Sequence, residues 1–486
     1  MKELQTELID AVIEAAKVVS STMGPDGHNV ALLKNGFPIT VRDGVFIAKE
    51  LTYDDPIKQM GAKLLADAAS TTVAEAGDGT TTTCAMVWGM LEAYRNSNSL
   101  PLLPRLIDDL KKSKDVAIEK INSLKIDVTP EILSEVATIS ANNNPELGKD
   151  VADMVERIGP YGAVYIEDGM DRKTSISVEN GYSFDGRPIG HFDKQMVLDN
   201  VYILLAEEKI SDQHSLLPIY EEFKKKAFDG KSWNATLICV VSDIQDSALR
   251  AAMLNYQQNR VPVLFVKAPE SGENRLSAMR DISAITGSYL FSEYLGHRVK
   301  GLKSHKVENI FGFVNQVRID RNKTTLFFSD REKEITDRVN VLKDEMGELE
   351  VDSAKYNFIQ SSISKLTGGV GMVYVGGDTD TEKAYTGMLL DDSIMACKSA
   401  FKSGAIPGLA KSLARSITGN KIIDSGLLKP LNVLGENSGV DPSVLMASEN
   451  MLTGKPIYDP LQVAVSAIKN SISLVEQIIR TKYVKI

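Results

Sequence analysis

The first hundred-odd residues show mainly helical hydrophobic periodicity. Residues 3–20 repeat apolar side chains every three or four positions, as one face of an amphipathic helix does, and residues 56–76 do the same. Between them, Val30–Leu33 and Phe37–Val41 flank Asn35-Gly36, a dipeptide typical of hairpin turns. The pattern predicts two long helices with a short β-hairpin between them.

The central part of the chain has a different pattern, with short and nearly continuous apolar runs. These runs predict buried strands, and they lie at Ala163–Ile166, Val201–Leu205, Thr236–Val241 and Val261–Val266. Helical periodicity separates the later strands, at Leu216–Phe228 and Ser247–Gln257. This alternation indicates an α/β domain between about residues 180 and 370.

The pattern is helical again after Asp378. Leu389–Phe401 and Val463–Ile479 predict two further helices. The predicted fold class is therefore a multidomain α and α/β protein. We expect a helical domain built from both ends of the chain, a small connector crossed twice, and an inserted α/β domain, although sequence order alone does not establish this nesting.

Composition excludes several classes of protein. A chain of 486 residues is too long for one core, so two to four domains are expected. The net charge of −10 disfavours a general binder of nucleic acid or anionic membranes. Apolar runs stop short of the roughly 20 residues that a membrane span needs, and the first residues do not resemble a signal peptide. With three widely spaced cysteines, Cys84, Cys239 and Cys397, we expect a cytoplasmic protein with buried thiols.

The strongest candidate for chemistry is the stretch Gly77-Asp78-Gly79-Thr80-Thr81-Thr82-Thr83-Cys84, which precedes an apolar helical run. The glycines allow close approach of a ligand to the backbone, and unpaired amides and hydroxyls at a helix start bind phosphate. Asp78 supplies a carboxylate of the kind that Mg²⁺ prefers. A tight turn with a threonine cap is the alternative, and for this stretch alone it is the commoner case.

Other motifs are weaker. Gly230-Lys231-Ser232 is similar to the end of a phosphate-binding loop, but Lys225 occupies the place of its leading glycine. The five histidines lack metal-ligand spacing. Asp43 and Asp392 lie in turn or helix-start contexts, and either one alone is more typical of a helix cap or a solvated charge.

Several motifs together resemble the group I chaperonins, the bacterial GroEL type. The most specific is Ala76–Thr82, and Thr22–Val30 is similar to the family's T-L-G-P-K-G-R-N-V. Further matches follow in order along nearly the whole chain, at Arg42–Val45, Thr138–Asn142, Val164–Gly169, Val266–Pro269, Lys365–Val370 and Tyr458–Pro460.

The resemblance implies three domains. An equatorial ATP-binding domain would comprise residues 1–122 and 403–486, an intermediate hinge domain residues 123–179 and 371–402, and an apical domain residues 180–370. Gly181, Gly368, Gly369 and Gly404 match hinge positions. The implied activity is an ATPase that drives protein folding, with ATP, Mg²⁺ and K⁺ as cofactors.

The resemblance also assigns roles at the nucleotide. Asp78 would bind Mg²⁺, and Asp43 and Asp392 would orient or deprotonate the attacking water. Asp459 would meet the ribose. Thr22 and Arg42, through their backbones, and Thr81 would lie at the K⁺ site. The other implied nucleotide contacts are Met23, Gly24, Gly79, Thr80, Thr82 and Gly408.

The implied partners are unfolded polypeptides, identical subunits in a heptameric ring and a co-chaperonin lid, with neither nucleic acid nor membrane. Apolar side chains of the apical domain would hold the client. The positions that match are Phe192, Leu217, Tyr220, Leu249, Met253 and Leu254. Without the resemblance, such stripes are equally typical of a core.

The chain also departs from the family pattern. Leu409-Ala410 follows Gly408 where the family has further glycines, and the insertion that supplies adenine contacts before Asp459 is missing. Asn432 replaces an arginine used between rings, and Phe184–His191 is shorter than usual. Two alternatives therefore stay open: a ring that holds clients without hydrolysis, and a metabolic kinase, for which no acceptor pocket is evident.

Overall fold

The computed structural model describes residues 2–34, 37–97, 100–141, 143–190, 195–258, 260–302, 310–329, 331–351, 353–447 and 456–481. The helices within these residues are α1 (Lys2–Ser20), α2 (Gly44–Glu50), α3 (Pro56–Ala76), α4 (Thr80–Arg95), α5 (Leu103–Asn122), α6 (Pro130–Ser140), α7 (Pro145–Ile158), α8 (Leu216–Ala227), α9 (Asp246–Gln257), α10 (Gly272–Thr286), α11 (Glu332–Gly347), α12 (Ala354–Gly368), α13 (Asp380–Ser403), α14 (Lys411–Arg415), α15 (Lys421–Ser438), α16 (Pro442–Ala447) and α17 (Leu461–Arg480).

The strands of the described residues are β1 (Val30–Lys34), β2 (Phe37–Val41), β3 (Ala163–Asp168), β4 (Ser175–Glu179), β5 (Gly181–Phe184), β6 (Met196–Ile210), β7 (Thr236–Ile244), β8 (Val263–Lys267), β9 (Leu290–Phe291), β10 (Gly312–Ile319), β11 (Thr324–Phe327), β12 (Val370–Val375), β13 (Ala405–Pro407) and β14 (Tyr458–Pro460). Short 3₁₀ segments lie at Gln213–Ser215, Glu293–Leu295 and Val299–Gly301.

The chain divides into two compact units. Unit 1 comprises residues 1–156, 170–173 and 375–486, and unit 2 comprises residues 157–169 and 174–374. The predicted fold class, a helical part built from both ends of the chain with an inserted α/β part, is confirmed. The finer division into three domains stays a prediction.

The core of unit 1 is a packed set of helices. The apolar stripe predicted for α1 is buried, with Leu8, Val12 and Val19 almost completely inaccessible. α1 packs against α3 and α4, α4 packs against α15, and α17 packs against α3, α4 and α5. The central position of α17 follows from its apolar character, because 13 of its residues are buried.

Unit 2 is built on a mixed sheet of seven described strands in the order β5-β11-β10-β6-β7-β8, with β9 also paired to β6. β6, β7 and β8 are parallel and buried, as their continuous apolar runs predict. Alternate side chains point to opposite faces of the sheet: Ile238 and Val240 belong to one core cluster, and Leu237 and Cys239 belong to the other.

Two local predictions need correction. The polar stretch Thr138–Asn142 predicts a turn from its sequence, but Thr138–Ser140 form the last turn of α6, which continues until Ala141 caps it. Asp392 lies in the middle of α13 rather than at a helix start, because Thr379 caps this helix far upstream of Leu389. The predicted burial of Cys84, Cys239 and Cys397 as free thiols is confirmed, and among the described helices none combines the length and apolar character needed to cross a bilayer.

A buried ion pair joins α10 and α11 in unit 2. Arg338 Nε donates to Asp281 Oδ1 at 2.6 Å, and its Nη2 donates to the carbonyl and hydroxyl oxygens of Ser277 at 3.0 and 2.8 Å. Asp281 is fully buried, and its desolvation raises the pKa of its carboxyl group although Arg338 opposes that shift. The pair joins α10 to α11, and loss of either partner would leave the other charge buried without its counter-charge.

The variant Arg338→Ala is expected to lower the free energy of unfolding of unit 2 by about 3–5 kcal/mol, because it leaves Asp281 buried without its cation. Urea unfolding followed by the fluorescence of Trp233, in a Trp88→Phe background, measures this unit. The matched control is Lys355→Ala, since Lys355 pairs with Glu345 at 2.9 Å on the surface and should contribute at most about 1 kcal/mol. Equal effects of the two variants would contradict this account.

Candidate active site

Unit 1 contains a cavity of about 720 Å³ that collects side chains from distant parts of the chain. They come from the α1–β1 loop, the start of α2, the α3–α4 turn, α13 and β14. The predicted site residues on its wall are Thr22, Met23, Gly24, Arg42, Asp43, Asp78, Gly79, Thr80, Thr81, Thr82, Asp392 and Asp459.

The α3–α4 turn depends on its two glycines. Gly77 and Gly79 have φ angles of +81° and +103°, which L side chains rarely adopt. A Cβ atom on Gly77 would lie 2.9 Å from Met395 Cβ, and one on Gly79 would lie 2.9 Å from Val463 Cγ1. The turn therefore fits tightly between α13 and α17, and it directs the start of α4 at the cavity.

The start of α4 has the properties of an anion site. The first intrahelical bond runs from the Thr83 amide to the Gly79 carbonyl, so the amides of Thr80–Thr82 have no acceptor within the helix. No side chain caps the helix at Gly79. The Thr80 hydroxyl is buried and has no hydrogen-bond partner among the described residues. These donors and the helix dipole together favour a phosphate group.

Carboxylates line the same cavity as these donors. The Asp78 carboxylate accepts a hydrogen bond of 2.5 Å from the Gly79 amide. Desolvation, and to a smaller degree the charge of Asp43, raises the pKa of Asp78. Desolvation and the charge of Asp78 likewise raise the pKa of Asp459 to about 6, although the amide of Ala410 donates to Asp459. So many acids within one cavity favour a bound cation.

The two candidate bases differ in their surroundings. Asp43 caps α2, since its carboxylate accepts from the amides of Val45 at 2.8 Å and Phe46 at 3.3 Å. No described residue donates a hydrogen bond to the carboxylate of Asp392. Desolvation, followed by the charges of Asp78, Asp43 and Asp391, raises the pKa of Asp392 to about 8. Because no described donor engages its carboxylate, Asp392 is the more available of the two aspartates to accept a proton once it is ionised.

The donor set fits Mg²⁺ held jointly by protein and phosphate. Among the described residues, no three His, Cys, Asp or Glu side chains form a ready-made metal cage. Mg²⁺ usually binds through one or two carboxylates plus substrate phosphates, and Asp78 beside the open donors at the start of α4 is compatible with that arrangement. The predicted K⁺ site of Thr22, Arg42 and Thr81 stays a prediction.

Arg42 has a structural contact that its sequence position does not reveal. Its Nη2 atom donates to the carbonyl of Gly24 and, at 2.7 Å, to the carbonyl of Pro25. Gly24 has a φ of +85°, and a Cβ atom there would lie 2.6 Å from Leu434 Cδ2. The guanidinium group thus holds the α1–β1 loop against the cavity.

Gly408 lies at the edge of the cavity rather than on its described wall. Its amide donates to the carbonyl of Ile457 at 2.8 Å, and a Cβ atom on it would lie 3.0 Å from the Asp459 carboxylate. The next two residues, Leu409 and Ala410, line the cavity with φ angles of +58° and +55°.

The cavity wall also contains residues that the sequence did not indicate. Tyr385 and Met388 lie on α13 with Asp392, at spacings of three and four residues that put them on one helical face. This helical spacing could have indicated Tyr385 and Met388 as site residues, but only after Asp392 had been chosen as one. The others include Asn29, Thr40, Asn143 and Ser412.

The predicted client-binding residues lie on α8 and α9 of unit 2. Leu217 and Leu254 are each 52% exposed, and Met253 is half-buried. Tyr220 and Leu249 pack against the core beneath, and desolvation raises the pKa of the Tyr220 phenol to about 12. Phe192 lies outside the described residues.

The predicted hinge glycines occupy the ends of elements. Gly181 begins β5, Gly368 ends α12, and Gly369 and Gly404 follow α12 and α13. A Cβ atom on Gly368 would lie 2.1 Å from the carbonyl oxygen of Ile158, so close packing alone requires glycine there. Their role as hinges stays a prediction.

Comparison with known proteins places this site in a family. The TCP-1/cpn60 chaperonin family matches residues 15–226. Chaperonin GroEL 1 of Prochlorococcus marinus (strain MIT 9515) is 31% identical over 517 residues, covering 98% of this chain and 85% of that protein. Chaperonin GroEL 1 of Prochlorococcus marinus subsp. pastoris is also 31% identical, over 98% of this chain and 86% of that protein.

Solved structures agree with the sequence relatives. The crystal structure of the chaperonin gp146 from the bacteriophage EL 2 (Pseudomonas aeruginosa), in presence of ATP-BeFx, has a TM-score of 0.77 at 18% identity, over 99% of this chain and 97% of that one. A second crystal form of the same protein has a TM-score of 0.71 at 17% identity. The identity is too low to transfer more than the fold, but the relatives at 31% carry the assignment: this chain belongs to the group I chaperonin family.

Proposed function

We propose that this protein is an ATP-dependent chaperonin that binds non-native polypeptides and releases them for folding. One observation carries the proposal: Asp78, the open start of α4 and the carboxylates of Asp43 and Asp392 line a single cavity. Phosphoryl transfer to water needs positioning and charge stabilisation more than covalent chemistry, and these residues supply both. A shared fold alone would not support the proposed ATP hydrolysis.

The residues divide the reaction between them. The amides and hydroxyls of Thr80–Thr82 bind the β- and γ-phosphates, and Asp78 is the residue that would hold Mg²⁺ beside them. When bound, Mg²⁺ neutralises charge on the phosphates. The oxygen of a water molecule attacks the γ-phosphorus, and Asp392 accepts the proton that this water loses. The bond from that phosphorus to the β–γ bridging oxygen breaks, and ADP and inorganic phosphate leave.

The raised pKa of Asp392 makes its protonation state depend on the charge within the site. A carboxyl group with a pKa of about 8 is mostly protonated at neutral pH. Desolvation is the largest cause of this shift, and the negative charges of Asp78 and Asp43 add to it. A cation held by Asp78 would offset that added charge and so favour the carboxylate form of Asp392. Asp43, which also caps α2, orients the water in this scheme.

The proposed function also includes the binding of client proteins and the assembly of subunits. We assign client binding to the exposed apolar side chains of α8 and α9, since leucine and methionine repack against varied partners. We assign assembly into a heptameric ring, a co-chaperonin lid, K⁺ dependence and a cytoplasmic location from the family. Leu217 and Leu254, each half exposed, support the client site.

The double variant Leu217→Ser/Leu254→Ser is expected to weaken binding of a denatured protein about tenfold or more, because two half-exposed leucines no longer contribute apolar area. Binding is measured by capture of a chemically denatured, labelled enzyme, with nucleotide turnover as a check on folding. Val341→Ser is the control, since Val341 on α11 is 56% exposed and outside the proposed surface. An equal loss in the control would remove α8 and α9 from the client site.

The proposal is tested first by steady-state ATP hydrolysis against ATP concentration, with and without Mg²⁺ and K⁺, on the purified oligomer. Sigmoidal and Mg²⁺-dependent turnover, together with refolding of a denatured client, is the expected result. Intact oligomers without turnover would overturn the ATPase.

A second function, holding clients without hydrolysis, is favoured by one specific observation. Leu409 projects from a left-handed backbone position into the wall of the cavity, which narrows the space for a nucleotide. Release of bound client on addition of ATP distinguishes the two functions, because a pure holdase would retain its client.

A further inference from the structure

A buried hydrogen-bond network lies behind the start of α4. The hydroxyl oxygens of Thr72 on α3 and Thr83 on α4 are 3.0 Å apart, and both residues are completely buried. From α17, Asn470 Nδ2 donates to the Thr72 hydroxyl at 3.1 Å. None of these three side chains is on the described wall of the cavity. The network therefore joins three helices behind the wall rather than forming part of it.

The Thr72 hydroxyl is the centre of this network. It donates its single proton to the carbonyl of Ala68 at 3.1 Å, so it accepts in its two other contacts. Thr83 is then the donor in the threonine pair, and Asn470 supplies the second donor. Without this oxygen, the Thr83 hydroxyl would turn to the carbonyl of Gly79, four residues earlier, and such back-bonding bends a helix.

Thr72 also contacts the turn that precedes α4. A Cβ atom on Gly79, the N-cap residue, would lie 3.0 Å from Thr72 Cγ2. The Thr83 amide makes the first intrahelical bond, to the Gly79 carbonyl at 2.9 Å. The methyl group and the hydroxyl of Thr72 therefore support the two ends of the first turn of α4, and the open amides of Thr80–Thr82 lie between these ends.

We propose that Thr72 is a positioning residue for phosphoryl transfer, held by Asn470 and acting through the first turn of α4. This inference rests on the proposed function, in which the amides and hydroxyls of Thr80–Thr82 bind the β- and γ-phosphates. Those amides have no acceptor within the helix, and helix ends fray where no contact holds them. Their direction therefore depends on the packing behind them, and a misplacement of about 1 Å can cost about a hundredfold in rate.

The test compares Thr72→Val, which preserves the shape of the side chain and removes its hydroxyl, with Thr72→Ser, which preserves the hydroxyl and removes the methyl group. We expect Thr72→Val to lower kcat/KM for ATP about tenfold or more, and Thr72→Ser to stay within about threefold of the parent. Thermal unfolding midpoints of both variants are measured in parallel. A purely structural role would make turnover follow the midpoint, whereas a positioning role makes it follow the hydroxyl.

A second measurement does not depend on hydrolysis. The affinities for ATP and AMP are compared by competition with a fluorescent nucleotide on the purified oligomer. The ratio of ATP to AMP affinity should fall in Thr72→Val and not in Thr72→Ser, because AMP lacks the two phosphates that the first turn of α4 binds. Asn470→Ala added to Thr72→Val should cause little further loss, since both changes act through one hydroxyl.

The matched control is Ser425→Ala. The Ser425 hydroxyl donates to the Gly89 carbonyl at 2.9 Å, on the same helix but well beyond its first turn, so this variant should retain the turnover of the parent. If Thr72→Val keeps full turnover, or if Ser425→Ala loses as much, the inference is wrong and the proposed ATPase stands. If the parent binds ATP without hydrolysing it, the ATPase fails and the ratio of ATP to AMP affinity decides the role of Thr72. If the parent binds no nucleotide, both proposals fail.

Discussion

Asp392→Ala is expected to reduce the turnover of ATP by about 10²–10⁴-fold, the usual contribution of a positioned general base, while leaving the affinity for ATP nearly unchanged. The reason is geometric, because Asp392 lines the cavity from α13 and contributes neither to the start of α4 nor to the turn that carries Asp78. Single-turnover hydrolysis and equilibrium binding of a fluorescent nucleotide measure the two quantities separately.

The matched control is the adjacent residue. Asp391 and Asp392 are both exposed, but of the two only Asp392 lies on the described wall of the cavity. The variant Asp391→Ala removes a carboxylate of the same type from the same helix, and it should retain turnover within a few-fold. If Asp391→Ala loses turnover and Asp392→Ala retains it, the assignment of the base is wrong by one residue. If both retain it, the base lies elsewhere.

Asp78→Asn is expected to reduce kcat/KM for ATP by about a thousandfold and to remove its Mg²⁺ dependence, because a metal ion supplies several kcal/mol of charge stabilisation in such sites. An amide preserves the size of the side chain, and it retains an oxygen that can accept the Gly79 amide. Titration of Mg²⁺ at fixed ATP, compared with the parent protein, measures the loss. A variant with unchanged Mg²⁺ dependence would contradict the metal assignment.

The same substitution should stabilise the metal-free protein at high pH. The pKa of Asp78 is raised in the folded protein, so this group favours folding below its unfolded pKa of about 4 and loses that contribution as pH rises through its folded pKa. Asp459 and Asp392, with pKa values of about 6 and about 8, act in the same direction. Asp78→Asn should therefore have a higher unfolding midpoint than the parent at pH 8 without Mg²⁺, and a smaller difference at pH 4. Loss of activity with a gain in stability distinguishes a binding residue from a structural one.

The long helices and buried strands were predictable because their signals are local. The stripe of α1 and the apolar runs of β6, β7 and β8 report burial directly. Boundaries were less predictable where pairing decides them. For example, β6 spans Met196–Ile210, well beyond the apolar run Val201–Leu205, because β10 pairs with its first half.

The candidate site was predictable only in part. The run from Gly77 to Thr83 indicates a phosphate site by its own chemistry, whereas Asp392 is an ordinary helical aspartate until the fold places it on the same cavity. The left-handed backbone at Leu409 had one signal, the glycines that the family has at the matching positions. It is imposed by β14, which pairs with β13 from a distant part of the chain and holds Leu409 where glycine would be expected.

Because unit 1 is built from both ends of the chain, it cannot complete its fold until the ribosome has synthesised the last helices. α1 to α5 are synthesised first, but their apolar faces are covered only when α15 and α17 arrive, and Gln5 finally donates to the carbonyls of Ile478 and Ile479. Unit 2 is almost continuous in sequence and can complete its fold in the meantime. Contacts of such high sequence separation form slowly. During each round of translation, therefore, the first helices of this chaperonin expose apolar side chains for a time. This is the same kind of non-native state that chaperones bind and protect.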